Sequence, residues 1–266
     1  MESVAVVGLP GSSAAKVAEK LGGLLRPGEF QIHHGSSVAE IADADGAVIL
    51  ADDAPVGAAA EVAARTELLA RVAAARTSGH TIAILRDRKG ADRWLARVKE
   101  EGLPAAPGPL RRVFVASGHS EVSVGRVKRL AEALGLPLIE PDAPGDDHSG
   151  EGWGPRYAHI AEGEHWVVHT PSWHAVEMLT PFADIVIHSE TTSHEASGEF
   201  PAPNPEARKW RVAFSPWLKR YPGVEARLLA RELAGHAHEA PLFRIRTSEE
   251  GEAVLQGFLR GAAQRA

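Results

Sequence analysis

The strongest constraint on the fold of this chain is a repeated alternation of two kinds of segment. Short apolar runs, rich in Val and Ile, alternate with longer stretches whose apolar residues recur at helical spacing. The runs are Val4–Val7, Ala47–Leu50, Ile82–Leu85, Val113–Ala116, Trp166–Val168, Ile185–Ile187 and Leu242–Ile245. They are too short for helices and suit strands buried on both faces. The alternation therefore predicts an α/β protein with mainly parallel sheets.

The stretches between the runs each carry one apolar face. The faces are Ala14, Val17, Ala18, Leu21 and Leu25; Val62, Leu69, Val72 and Ala73; and Val127, Leu130, Ala131 and Leu134. Hydrophobic residues make up 44% of the 266 residues, which is enough for a sizeable core. Helices with one apolar face pack on sheets, so we expect three-layer α/β/α units.

A stretch rich in Pro and Gly, GLPAAPGPL at Gly102–Leu110, separates the two halves of the chain. Such composition is typical of a linker. We therefore predict two units, residues 1–108 and 109–266. One continuous sheet is the open alternative, with Val113–Ala116 as a late strand of the first unit.

Composition excludes several classes of function. The net charge is −6 and no basic stripe stands out, so a nucleic-acid partner is not expected. Cysteine is absent, which excludes disulfides, thiolate nucleophiles and cysteine-bound zinc. No apolar run approaches the ~20 residues of a membrane-spanning helix, and the first residues lack a signal-peptide pattern. We predict a cytoplasmic protein without membrane contact; no feature specifies its oligomeric state.

The first strand leads into a Gly/Ser turn that is similar to a phosphate-binding P-loop, G-x-x-x-x-G-K-[ST]. In a P-loop, backbone N–H groups wrap the phosphates, Lys neutralises them and Ser/Thr holds Mg²⁺. With Gly8 as the first glycine, Ser13, Ala14 and Ala15 take the Gly, Lys and Ser/Thr positions. Lys16 lies two positions late, which turns it by roughly 200° on a helix. The candidate phosphate-binding residues are Gly8, Gly11, Ser12, Ser13 and Lys16.

The second such turn follows the run Val113–Ala116. Ser117 takes the first-glycine position, and Val122, Ser123 and Val124 take the Gly, Lys and Ser/Thr positions. The Lys is missing, and Glu121 adds negative charge. The candidate phosphate-binding residues here are Gly118, Ser120, Ser123 and Arg126. For both turns, a plain strand-to-helix connection is the open alternative.

The second half, roughly Val113–Leu259, resembles adenylate-kinase-like P-loop proteins of the DNA topology modulation type. The resemblance lies in VKRLAEALGLPLIEPD, GEHWVVHTPSWHAVEMLTPFADIVIHSE and LFRIRTSEEGEAVLQGFL. It implies a P-loop fold and nucleotide chemistry. The chain departs from the family where that chemistry resides, since the P-loop Lys is absent and His169 stands where the family has Asp.

The first half resembles the core of translation-factor-type or dynamin-like GTPases. The resemblance lies in DADGAVILADDAPVGAAAEVAARTELLARV and TIAILRDRKGADRW. The family's guanine-selecting N-K-x-D is replaced by RDRK at Arg86–Lys89, so the resemblance implies the fold without guanine selection.

Three further groups carry candidate chemistry. His188, Glu190 and His194 could ligate zinc, but their spacing matches no standard motif, and polar loop histidines are the favoured interpretation. Arg211 and Arg220 follow the loop-rich stretch Glu190–Pro205, where a lid could clamp phosphates; a partly solvated amphipathic helix is the favoured alternative. Asp52 and Asp53 follow a strand and could hold Mg²⁺ through water, although a solvated or helix-capping role is favoured.

The missing charges favour a non-catalytic pseudo-NTPase that acts through protein partners, for example an active NTPase, without a cofactor. Phosphoryl transfer depends on cations positioned at the phosphate oxygens, and both turns lack one. One alternative is an atypical kinase or phosphotransferase using ATP or GTP with Mg²⁺, served by Lys16, Arg126 and Lys128. Another is a metal-dependent hydrolase in the histidine-rich second half.

Overall fold

The computed structural model describes residues 2–26, 28–36, 41, 46–118, 121–141, 153–190, 225–236 and 240–265. The chain divides into two compact units, one formed by Met1–Pro109 with Glu249–Ala266, the other by Leu110–Ser248. Each unit has its own sheet, and every described strand pair is parallel. The predicted α/β class with parallel sheets is confirmed, and the sheets are separate.

The described part of the first unit contains a four-stranded sheet and four helices. Its strands are β1 (Glu2–Gly8), β2 (Phe30–Gly35), β3 (Ala47–Ala51) and β4 (Thr81–Leu85), in the order β2-β1-β3-β4. Its helices are α1 (Ala14–Leu24), α2 (Ala59–Ser78), α3 (Arg88–Glu101) and, from the end of the chain, α8 (Ser248–Arg265).

Helices cover both faces of this first sheet. Side chains alternate along a strand, so β1 and β3 bury one set of residues on each face. Val4, Val6 and Ile49 pack with the apolar faces of α1 and α3. The alternate residues of β3, Val48 and Leu50, are also buried, and α2 contacts β1, β3 and β4. The unit is therefore a three-layer α/β/α structure.

The second unit contains a five-stranded sheet in the order β6-β7-β5-β8-β9. Its strands are β5 (Arg112–Ala116), β6 (Leu138–Ile139), β7 (Trp166–Thr170), β8 (Ile185–Ser189) and β9 (Leu242–Ile245). Its described helices are α4 (Glu121–Leu134), α5 (Trp153–Glu162), α6 (His174–Leu179), a 3₁₀ turn (Thr180–Phe182) and α7 (Glu225–His236). One face packs Phe114 and Val168 against α5, α6 and α7, and α4 contacts β6 and β7.

The C-terminal helix joins the first unit because two glycines let it approach α2 closely. A Cβ on Gly257 would lie 2.1 Å from the carbonyl oxygen of Ala70, and one on Gly261 would lie 2.5 Å from that of Ala74. The break after Pro109 falls in the Pro- and Gly-rich linker. The linker pattern predicts that the last 18 residues belong to the second unit, whereas the structure groups them with the first.

Candidate functional sites at the two strand-turn-helix junctions

The local geometry of the first turn requires glycine at both Gly8 and Gly11. A Cβ on Gly8 would lie 2.3 Å from Ser12 Oγ and 2.8 Å from the carbonyl oxygen of Ala51 on the neighbouring strand. Gly11 has a φ of 85°, which side chains rarely adopt. The glycine pattern that resembles a P-loop is therefore required by the close approach of β3 and by a tight turn.

A carboxylate of the protein occupies the start of α1. The backbone N–H of Ser13 donates to Asp53 Oδ1 at 2.9 Å, and Asp53 lies two residues beyond the end of β3. The N-terminus of a helix attracts anions because its first N–H groups lack intrahelical partners. Asp53 supplies that anion from within the chain. This agrees with the capping role favoured from the sequence.

Lys16, the candidate phosphate-binding lysine of the first turn, lies on the exposed face of α1. Lys16 is exposed, and its charge acts on Asp92 of the neighbouring helix α3. The pKa of Asp92 is lowered chiefly by a hydrogen bond from Lys20, at 2.6 Å, with smaller contributions from Arg88 and Lys16. This position agrees with the rotation about the helix axis that is expected for a lysine two residues after the P-loop Lys position.

The adjacent carboxylate, Asp52, belongs to a buried ion-pair cluster. Both oxygens of Asp52 accept hydrogen bonds from Arg65 at 2.7 Å, and Arg65 Nη1 donates to Glu250 Oε1 at 2.5 Å. Burial opposes the charge on Arg65, but Asp52 and Glu250 outweigh it, so the pKa of the guanidinium is raised above its ordinary value. The cluster joins the end of β3 to α2 and α8.

At the second junction, a hydrogen-bonded chain of side chains lies where the phosphate grip was predicted. Ser123 Oγ lies 2.6 Å from Ser117 Oγ, and Ser117 Oγ lies 2.9 Å from His169 Nε2. His169 Nδ1 lies 3.1 Å from Glu140 Oε1. We call these four residues the serine–histidine network.

The fold assembles this network from the carboxyl ends of neighbouring strands. Ser117 follows β5, Glu140 follows β6, His169 lies near the end of β7, and Ser123 is the third residue of α4. The three strands are adjacent and parallel, so their ends meet at one edge of the sheet. Ser117 and His169 are 1% and 0% exposed, whereas Ser123 is half-buried.

The two ring nitrogens of His169 face different partners, Glu140 at Nδ1 and Ser117 at Nε2. In the tautomer that carries its proton on Nδ1, the ring donates to Glu140 and Nε2 accepts from the Ser117 hydroxyl. Either hydroxyl of the Ser117–Ser123 pair can be the donor, and donation from Ser123 to Ser117 completes a path to Nε2. The network therefore connects Ser123 with Glu140 through two buried residues, and both of its end residues are partly exposed.

The other predicted residues of the second turn have different positions. Gly118 is buried directly after Ser117, and Ser120 lies outside the described residues. Arg126 Nη2 donates to the carbonyl oxygen and the hydroxyl of Ser248, at 2.9 and 2.5 Å. Of the predicted residues that the structure describes at this turn, Ser123 alone belongs to the network. Sequence reasoning did not assign Ser117, Glu140 and His169 to one site.

The predicted metal and lid residues are only partly described. His188 is buried on β8, and Glu190 accepts a hydrogen bond from Arg244. His194, Arg211 and Arg220 lie outside the described residues. Within the ranges that the structure describes, no three or more His, Asp and Glu side chains are close enough together to hold a metal ion.

No protein-family model matches this sequence, and no curated protein matches it. None of the helices in the described part of the chain is long and apolar enough to cross a bilayer.

Proposed function

We propose that this chain is a pseudo-NTPase, a protein with two P-loop-like junctions that neither bind nor cleave nucleoside triphosphates in the ordinary way. In this proposal it acts as a binding or regulatory protein through a protein partner. The single observation that carries the proposal is the hydrogen bond from the Ser13 N–H to Asp53. A triphosphate at α1 would meet a carboxylate where an active P-loop offers a lysine.

The second junction supports the same proposal by different means. A hydroxyl and an imidazole, from Ser123 and His169, stand where the family would have a lysine and an acidic strand end. Neither group supplies the fixed positive charge that stabilises transferring phosphoryl oxygens. Arg126, a residue that could compensate, is hydrogen-bonded to Ser248.

Titration calorimetry with ATP and GTP, each with and without Mg²⁺, tests the proposal. We expect no saturable heat up to on the order of 1 mM nucleotide, a concentration that corresponds to a binding free energy of about −4 kcal/mol. Sub-millimolar binding that is weakened by Lys16→Ala or Arg126→Ala would overturn it in favour of an atypical nucleotide-dependent transferase. Lys99→Ala, on α3, serves as the matched control.

The variant Asp53→Asn separates the two causes of weak binding. It removes the negative charge at α1 and keeps an oxygen that can accept from Ser13. If the missing lysine alone abolished affinity, the variant would bind triphosphate as poorly as wild type. If repulsion contributes, as we propose, inorganic phosphate should bind the variant more tightly than it binds wild type. This difference in affinity should become smaller at high salt, because salt screens the repulsion.

A further inference from the structure

We propose that the serine–histidine network is a general-base relay that activates Ser123 as a nucleophile toward carboxylic esters. The inference goes beyond the proposed function, because it concerns acyl chemistry rather than triphosphates. The two can fail separately, since nucleotide titration does not report on serine reactivity.

The order of the groups in the network carries the proposal. A serine is a weak nucleophile until a base removes its proton, and an imidazole held by a carboxylate is such a base. Here Glu140 lies 3.1 Å from Nδ1 of His169, and Ser117 lies 2.9 Å from Nε2. Ser123 Oγ lies 2.6 Å from Ser117 Oγ, and Ser123 is the more exposed of the two serines in the network.

The exposure of the three residues agrees with the proposed roles, because the nucleophile is more exposed than the groups that carry its proton. His169 is fully buried and Ser117 is 1% exposed, so a substrate cannot reach them as it can the half-buried Ser123. Ser123 Oγ also lies 3.4 Å from His169 Nε2, close enough to tighten when a substrate is bound. Ser123 lies in the first turn of α4, where helix N–H groups favour a developing oxyanion.

Ester hydrolysis by this relay has an acylation stage and a deacylation stage. Ser123 Oγ bonds to the carbonyl carbon of an ester while its proton passes to Ser117 and the Ser117 proton passes to His169 Nε2. The proton returns along the same path to the leaving alcohol as the ester C–O bond breaks. Water then attacks the acyl group on Ser123 by the same proton transfers, which releases a carboxylic acid and restores the hydroxyl.

Labelling of the 266-residue chain with a fluorophosphonate tests the proposal. The probe forms a bond between phosphorus and an activated serine oxygen and releases fluoride. We expect one adduct by intact mass, located on Ser123 by peptide mapping and absent from Ser123→Ala. Ser78→Ala, which removes a hydroxyl that bonds Gln264 on another helix, is the matched control and should label as wild type.

The base and its positioning residue are tested by rate. His169→Gln should slow labelling on the order of 10²-fold or more, the usual contribution of a general base. Because His169 is buried and that variant could unfold, Glu140→Gln provides a second test at a side chain that is 22% exposed. Glu140→Gln should slow labelling at unchanged thermal stability, and Glu140→Asp should restore part of the rate.

The solvent deuterium isotope effect on labelling tests the role of Ser117. Ser117→Ala should slow labelling and reduce the solvent deuterium isotope effect, because fewer protons move in the step; packing damage alone leaves that effect unchanged. The proposal is overturned if folded wild type forms no adduct, or if the adduct lies on another residue. It is equally overturned if labelling of Ser123 is unaffected by His169→Gln and Glu140→Gln.

Discussion

Two adjacent carboxylates at the end of β3 serve two different purposes. Asp52 pairs with the buried Arg65, and Asp53 accepts the N–H of Ser13 at the start of α1. The sequence places both after a strand, where a metal-holding carboxylate was one interpretation. It does not specify which helix each side chain reaches, because the partners are 13 and 40 residues away.

Asp53→Ala should destabilise the first unit modestly. The variant removes the acceptor of the Ser13 N–H and the negative charge at the start of α1, and losing such a cap costs about 1 kcal/mol. Urea unfolding followed by circular dichroism measures the difference in unfolding free energy. Glu19→Ala, at an exposed position of the same helix, should change stability by less than about 0.5 kcal/mol. Equal stability of the two variants would contradict the capping role.

Arg65→Ala should be far more damaging. Asp52 and Glu250 are 7% and 2% exposed at their side chains, and the variant removes the cation that compensates these buried carboxyl groups. Breaking a buried pair in this way costs about 3–5 kcal/mol. Arg88→Ala provides the control, since Arg88 is 80% exposed and lies 4.0 Å from Asp92. Urea unfolding measures both variants. If Arg65→Ala lowered the free energy of unfolding no more than Arg88→Ala, the stabilising role of the cluster would be refuted.

The serine–histidine network shows how far residue-level prediction reaches. Ser123 was identified as a candidate, and His169 was noted as a departure from the family's acidic residue. Residues 117, 140 and 169 each lie near the carboxyl end of a strand, but their proximity depends on β5, β6 and β7 being neighbours in the order β6-β7-β5. Strand order is a long-range property, and local periodicity does not encode it.

Elements with strong local patterns were predicted well, and weakly patterned ones were missed. The seven apolar runs all lie in strands, and most residues of the predicted apolar faces of α1 and α4 are buried. The apolar runs omit β2 and β6, which lie at the ends of the described sheets and are only half-buried; the family resemblance of VKRLAEALGLPLIEPD implies a strand at β6, and β2 was missed. Strands of this kind carry polar residues, such as His33 and His34 in β2, and lack a continuous apolar run.

Gly257→Ala should destabilise the contact between α8 and α2. Its added methyl group would overlap the carbonyl oxygen of Ala70, so the helices must separate, at a cost of about 2 kcal/mol or more. Gly23→Ala on α1 is the matched control, because nothing lies within 4 Å of its would-be Cβ and alanine favours helix. Thermal unfolding should give a lower midpoint for Gly257→Ala and no loss for Gly23→Ala. The reverse order would contradict the close packing.

At the scale of the whole molecule, the chain returns to the unit in which it began. The first unit is completed by residues 249–266, through the buried Arg65–Glu250 pair and the glycine contacts of α8. Sequence patterns predicted a linker near Gly102–Leu110, and the units divide after Pro109. They did not predict this return, since an amphipathic helix does not reveal which sheet or helix it covers.

Cleavage within residues 102–109 should therefore leave the two fragments associated. The fragment that begins near residue 110 carries α8, which packs on α2 of the other fragment. Limited proteolysis followed by size-exclusion chromatography should give two bands on a denaturing gel from one native peak. Separation of the fragments without denaturant would mean that α8 does not hold the first unit together.

We propose that the protein's own side chains occupy both places where a P-loop would hold phosphate. A crystal structure of the protein grown with ATP and Mg²⁺ is the decisive test. We expect Asp53 hydrogen-bonded to the Ser13 N–H and His169 bonded between Ser117 and Glu140, with no nucleotide at either turn. A triphosphate seated on residues 8–16 or 117–125, with these side chains displaced, would contradict it.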